Sequence, residues 1–399
     1  MTYDIIIIGA GIVGLATGLK LKQQKPDFKI AIIDKESEVA KHQTGNNSGV
    51  IHSGLYYKPG SLKATNCIQG YHELIRFCKE ENIPFELTGK VVVATRPEQV
   101  PILNGLLDRA LQNGLTGTRA ISLEELKEYE PHCAGIAAMH VPQTGIVDYK
   151  VVAQGYAKKF TDMGGVIALG QKVIGTKQEN QETRIFTTQN EWTCKLLVNC
   201  AGLYSDKIAQ MGQNDPLDVK IIPFRGEYYK LKKEKEYLVR NLIYPVPDPN
   251  FPFLGVHFTR MMKGGVEAGP NAVLAFKREG YKKSDINLGE LQESLRWPGF
   301  QKVASKYWKT GMGEFYRSFS KAAFTKALQE LIPEIQSSDL VDGGAGVRAQ
   351  ACDRTGGLLD DFSIREHASA IHVLNAPSPA ATSSLAIGGT VAQLVLKRL

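Results

Sequence analysis

Tyr3-Asp-Ile-Ile-Ile-Ile-Gly-Ala-Gly-Ile-Val-Gly14 is the stretch that decides the fold of this chain. Its β-branched run fits a strand buried on both faces and leads directly into G-x-G-x-x-G. An apolar-periodic stretch through Leu15, Ala16, Leu19 and Leu21 then reads as a helix, and Lys29-Ile-Ala-Ile-Ile-Asp34 as a second buried strand. Together they form one βαβ unit, right-handed by expectation. Gly9 makes the tight turn, Gly11 lets backbone approach a pyrophosphate, and Gly14 permits close packing of helix on strand. Ile12 and Val13 stand at the helix start, where free N–H groups and the positive helix end attract phosphate. Asp34, at the end of the second strand, is placed to accept hydrogen bonds from ribose hydroxyls, with Lys35 beside it.

This motif does not by itself separate NAD from FAD. Two further features favour FAD. Residues 44–54 form a Gly- and Asn-rich loop suited to wrap a pyrophosphate and a flavin ring, with Thr44, Gly45, Asn47, Ser48, Gly49 and Val50 as its candidate contacts. Lys195-Leu-Leu-Val-Asn-Cys-Ala-Gly202 is a buried strand ending in Ala201 and Gly202, where backbone can come close to the adenine half; Val173 is a further candidate there. Near the C-terminus, Pro377, Ala380, Ala381, Thr382 and Ser383 precede a helix whose first N–H groups can stabilise negative charge on a reduced flavin.

Outward from these motifs, 399 residues suggest two domains with a sizeable core. Hydrophobic residues at 43% and charged ones at 22% exclude disorder, collagen and coiled coil. The net charge of +7 is spread along the chain without a basic, aromatic-interleaved stripe, so nucleic-acid binding is not expected. Six cysteines without a C-x-x-C pair suit neither a disulfide framework nor a zinc site, and no metal is expected. No G-x-S-x-G or H-E-x-x-H occurs. Residues 5–19 are too short for a membrane span and 372–396 too polar. With no signal-peptide pattern, the expectation is a cytoplasmic protein, peripheral at the inner membrane at most.

At Gln43-Thr-Gly-Asn-Asn-Ser-Gly-Val-Ile-His-Ser-Gly-Leu-Tyr-Tyr57 a specific resemblance emerges. The segment is similar to the L-2-hydroxyglutarate dehydrogenase/oxidase family, within the D-amino-acid-oxidase-like flavoproteins. Thr144-Gly-Ile-Val-Asp-Tyr149, Cys200-Ala-Gly-Leu-Tyr-Ser-Asp206, Phe251-Pro-Phe-Leu-Gly-Val-His-Phe258, Ala345-Gly-Val-Arg-Ala-Gln350 and Asn375-Ala-Pro-Ser-Pro-Ala-Ala-Thr-Ser-Ser384 resemble family segments in family order. One departure stands out: the family signature reads T-G-H-N-S-G, and here Asn46 replaces the His.

The resemblance implies FAD-dependent oxidation of L-2-hydroxyglutarate to 2-oxoglutarate, with O2 or a membrane quinone as electron acceptor, in a bacterial protein. The alternative is an amine oxidase of the same superfamily, acting on glycine, sarcosine or a D-amino acid. The implied architecture is α/β, a Rossmann-like FAD-binding domain with an interleaved α+β substrate domain containing a mostly antiparallel sheet. Residues 1–87, 145–215 and 340–399 are assigned to the first domain, and 88–144 and 216–339 to the second.

Oxidising a 2-hydroxy acid needs a base, and His suits by its ordinary pKa. His52 and His257 lie within the resembling segments, flanked by small residues; the other six histidines read as structural or surface. A dicarboxylate substrate needs cations or strong donors. Arg348 resembles the carboxylate-binding Arg of the superfamily. Arg225 is the weaker candidate because Glu227 stands two residues away. Tyr244 offers a hydroxyl, and Lys58 a second cation or simply a solvent-facing charge.

Overall fold

The computed structural model describes residues 2–211, 217–248 and 254–399. The positions 251–253 of one resembling segment therefore lie outside the described residues. The strand Thr2–Ile8, helix Ile12–Gln24 and strand Ile30–Ile33 form where the sequence places them. Thr2–Ile8 is central: it pairs in parallel with Ile30–Ile33 on one side and with Glu191–Asn199 on the other. That position explains its continuous Ile run, which is buried on both faces from Ile5 onward. Val166–Ala168 extends the parallel sheet at one edge, and Ala370–Asn375 runs parallel to the far half of Glu191–Asn199. The near half of Glu191–Asn199 carries the antiparallel strands Glu182–Thr187 and Val173–Glu179.

The helix Ser384–Leu396 lies against Ile12–Gln24. Their contact is backbone to backbone, since a Cβ on Gly388 would sit 2.7 Å from the carbonyl carbon of Ala16. This close approach brings the C-terminal helix start beside the Gly-rich turn, although nearly the whole chain separates them.

The second sheet runs Leu340–Asp353, Val219–Leu231, Val266–Leu274, His257–Arg260, Leu242–Pro245, Lys90–Ala94, Ala137–Val141, Arg119–Ile121. It is mostly antiparallel as expected, with Leu242–Pro245 against Lys90–Ala94 the parallel pair. One stretch differs from the sequence assignment. Leu340–Asp353, placed with the nucleotide-binding part on its glycine content, is instead a 14-residue strand paired along the whole of Val219–Leu231. Its glycines serve the pairing: a Cβ on Gly343 would lie 2.7 Å from the backbone of Tyr229. A cavity of about 660 Å³ opens where the two sheets meet, walled by residues of both.

Candidate active site

One part of the cavity is built from the first βαβ turn. Gly9, Gly11, Ile12 and Val13 line it. Gly9 has φ +110°, and a Cβ there would lie 2.4 Å from the Cys200 carbonyl oxygen, so only glycine fits. Gly14 serves behind the wall, where a Cβ would meet the Gly9 carbonyl oxygen at 2.0 Å. The Ile12 N–H donates to Thr44 Oγ1 at 3.0 Å, which ties the 44–50 loop to the helix start. Asp34 lines the cavity with its carboxylate held by the Ala10 N–H at 2.6 Å and the Glu36 N–H at 2.9 Å.

Thr44, Asn47, Ser48 and Val50 also face the cavity, as do Val173, Ala201 and Gly202. Gly45 and Gly49 shape the loop and border a smaller adjoining cavity of about 270 Å³. Gly49 has φ +68° and a Cβ on it would lie 2.7 Å from the Val147 carbonyl oxygen. Pro377, Ala380 and Ala381 form another stretch of the main wall, with Thr382 and Ser383 fully buried behind them. The set fits a flavin dinucleotide: glycine backbone and a helix N-terminus for the pyrophosphate, a carboxylate for a ribose diol, and a second backbone segment for the ring.

The same cavity is lined by His52, His257, Tyr244 and Arg348. His257 is buried, and its Nδ1 lies 2.9 Å from the Gly255 carbonyl oxygen. A carbonyl only accepts, so Nδ1 carries the proton and Nε2 of the neutral ring is left as the acceptor. His52 is held through its backbone: its N–H donates to Thr382 Oγ1 at 3.1 Å. Thr382 meets the Tyr149 hydroxyl at 2.7 Å, and that hydroxyl donates to the Val50 carbonyl at 3.0 Å. These bonds join the His52 loop to the C-terminal wall.

Burial, then the charge of Lys90, pushes His52 down to about 3, with His257, Lys63 and Arg348 acting in the same direction. Burial and Lys90 push His257 down to about 4 against the opposite pull of its Gly255 bond. Both imidazoles are therefore neutral at pH 7 and able to take a proton. Lys90, Lys63 and Arg348 are the cations that act on His52. An arriving carboxylate raises both pKa values towards the working range.

Two candidates are not brought to this wall. Lys58 is exposed and outside it. Arg225 is buried and donates to Glu227 from Nε at 3.0 Å and Nη2 at 2.8 Å. Residues i and i+2 share a strand face, so the two meet within Val219–Leu231.

Other residues were not anticipated. His42, read as structural or surface, lines the cavity and lies 3.1 Å from both Glu36 and Glu279. Lys35, the candidate next to Asp34, also lines it and pairs with the same two carboxylates. Burial opposes the charge on Glu279, but His42 and Lys35 hold its carboxyl down to about 2. The side-chain donor atoms of Glu36, His42 and Glu279 lie within 4.8 Å of one another, and the Lys35 ammonium pairs with both carboxylates. Lys90 was missed as well; its sequence signal is a lone charge opening the apolar run Val91-Val-Val-Ala94.

Comparison with known proteins agrees with this geometry. The chain matches the family model "DAO: FAD dependent oxidoreductase" over residues 4–394. It is 76% identical over 398 residues to the L-2-hydroxyglutarate dehydrogenase of Indibacter alkaliphilus, covering 100% of both chains. It is 46% identical over 414 residues to the mitochondrial L-2-hydroxyglutarate dehydrogenase of Homo sapiens, covering 100% of this chain and 89% of that one. The FAD-bound L-alpha-glycerophosphate oxidase of Mycoplasma pneumoniae shares the fold with TM-score 0.81 at 20% identity, over 100% of this chain and 95% of that one. The glycine oxidase of Geobacillus kaustophilus does so with TM-score 0.75 at 16% identity, over 100% and 95%.

Proposed function

The chain belongs to the FAD dependent oxidoreductase (DAO) family, and from that premise we propose that it oxidises L-2-hydroxyglutarate to 2-oxoglutarate. The observation that carries this reading is the gathering in one cavity of two neutral imidazoles, His52 and His257, and the Arg348 guanidinium, with the charge of Lys90 acting on both rings. Such surroundings attract an anionic substrate and leave the imidazoles free to act as base. FAD, when bound, supplies the acceptor for the hydrogen and electron pair that leave C2 of the substrate.

Arg348 holds the carboxylate next to C2 by charge-assisted hydrogen bonds. His257 takes the hydroxyl proton on Nε2, because Nδ1 is committed to Gly255. As the proton leaves the oxygen, the C2–O bond becomes a carbonyl and the 2-oxo acid is formed. His52 stands second, fixed by Thr382, and shields the reacting carbon from water together with Tyr244. An amine substrate would react from its neutral form and need no such base, so the alternative chemistry leaves His257 without a task. The test is product analysis with the two enantiomers. L-2-hydroxyglutarate should yield stoichiometric 2-oxoglutarate, the D-enantiomer and glycine none; glycine turnover with no hydroxy-acid turnover would overturn the reading.

We further infer that the electron acceptor is a quinone-linked carrier reached at a membrane surface. Helix Trp308–Phe319 turns Trp308, Met312, Tyr316 and Phe319 to solvent, with Phe319 77% exposed. Residues 298–328 contain six Lys or Arg and one acid, Glu314, which is buried against Arg317. An apolar stripe flanked by cations is the pattern of a helix lying in an anionic interface. Glu314 Oε2 accepts the Ala272 N–H at 3.0 Å, and Ala272 lines the cavity, so this helix is bonded to the cavity wall. Among the described residues, no helix is long and apolar enough to cross a membrane. Flotation with phosphatidylglycerol vesicles should carry the holoenzyme, and Trp308→Ser with Phe319→Ser should abolish it. Equal flotation of both proteins would contradict the inference.

A further inference from the structure

Lys90 opens the strand Lys90–Ala94 and is 2% exposed. Its Nζ lies 4.3 Å from the ring centroid of Tyr56 and 5.1 Å from that of Tyr244. Among the described residues, no carboxylate and no hydrogen-bond acceptor meets this ammonium. Removing an ammonium from water without an anion costs several kcal/mol, and two aromatic faces return only part of that.

The neighbours supply no negative charge. Burial pushes the Cys67 thiol up to about 12, and burial raises Tyr56 and Tyr244 well out of the neutral range. The Tyr56 hydroxyl is also buried and has no hydrogen-bond partner among the described residues. One ring thus carries an unsatisfied hydroxyl and lies under an unpaired ammonium. Tyr244, the other ring beneath that ammonium, is part of the cavity wall, and the charges of Lys90 and Arg348 both reach His52. Lys90 and Tyr56 adjoin Tyr244 without lining the cavity themselves, and both are buried donors that in this state need an acceptor, which an anion seated past Tyr244 would supply.

We propose that Lys90, with the Tyr56 hydroxyl, is a second carboxylate site of the cavity, which selects substrates acidic at both ends. It rests on the substrate reading above, in which Arg348 holds the carboxylate next to C2. Lys90 receives the carboxylate at the other end of the chain. Burial alone brings the amine down to about 7; a bound carboxylate restores its charge. A substrate ending in a methyl group would leave the ammonium buried and unpaired, and that penalty is the source of discrimination.

Equilibrium titration of the holoenzyme with glutarate and with pentanoate, read by the flavin absorbance, tests this without turnover. The two acids match in length and differ in one terminal carboxylate. Lys90→Met should weaken glutarate on the order of 30- to 100-fold and leave pentanoate within about twofold. Tyr56→Phe keeps the ring beneath the ammonium and should weaken glutarate about fivefold. It carries the same comparison should Lys90→Met fail to hold flavin. Equal changes for both acids, or none for either, overturn the proposal. Turnover of L-2-hydroxyglutarate by the unaltered enzyme is measured alongside. Its absence, with glutarate selectivity still lost in Lys90→Met, would refute the activity and uphold the carboxylate site.

Discussion

The imidazole of His257 lies on the ring of Tyr244, with centroids 4.0 Å apart and the planes 30° from parallel. The strands that carry them pair antiparallel, Leu242–Pro245 beside His257–Arg260. Stacking fixes the ring plane while the Gly255 carbonyl fixes the tautomer, so Nε2 is presented as a proton acceptor without side-chain rearrangement.

Replacing this base should cost chemistry rather than cofactor. His257→Asn is expected to lower kcat by about 10²–10⁴-fold, with flavin content and the spectrum of the bound flavin unchanged. Stopped-flow reduction of the variant checks it. Activity within threefold of the unaltered enzyme would remove His257 from the reaction.

The Gly-rich turn makes the opposite prediction. A Cβ on Gly14 would meet the Gly9 carbonyl oxygen at 2.0 Å, a backbone atom that cannot step aside alone. Gly14→Ala should displace the turn from the pyrophosphate and yield folded protein with little flavin. The ratio of absorbance at the flavin band to that of protein measures this directly.

Thr382 joins the two walls through hydroxyl bonds to Tyr149 and the His52 N–H. Thr382→Val keeps the volume and deletes both bonds, leaving the His52 N–H without that acceptor. The expected loss is about 1–3 kcal/mol of stability by denaturant unfolding, with a larger fall in kcat than in glutarate affinity. No change in either quantity would show that the relay holds nothing in place.

Stability should fall as the solution is acidified through pH 6.5. His52, His257 and His372 are held by burial at about 3, 4 and 4, below their ordinary 6.5. Between pH 6.5 and 5 the unfolded chain binds protons at all three while the folded protein does not, so unfolding becomes more favourable as pH drops. Glu130 works the other way, since burial raises it to about 7 and the folded state keeps its proton. The net of roughly two protons gives a slope of about 2–3 kcal/mol per pH unit. Urea unfolding at pH 7, 6 and 5.5 measures it, and a flat profile would contradict the neutral state of these imidazoles.

Much of this was legible in the sequence because local spacing determines it. The Gly9–Gly14 turn, Asp34 at the strand end and the loop at 44–50 need only βαβ geometry to be placed. Segments such as 377–381 were found by resemblance, their position being set by the contact of Gly388 with Ala16. What failed depended on partners distant in the chain or on strand phase. Arg225, ranked second because Glu227 stands two residues on, is bonded to that carboxylate on one strand face. Leu340–Asp353 was assigned with the FAD-binding part because its glycines, read singly, do not reveal the close strand beside them. His42 gained its role from Glu279, more than two hundred residues away, and Lys90 from Tyr56 and Tyr244 on separate elements.

The most direct measurement is anaerobic absorbance of the flavin band in purified holoenzyme, with L-2-hydroxyglutarate, then D-2-hydroxyglutarate, then glycine. Complete bleaching by the L-hydroxy acid alone is expected, slowed by at least about 10²-fold in His257→Asn. Bleaching by glycine with none by the L-hydroxy acid, or full speed in His257→Asn, would contradict the proposed reaction.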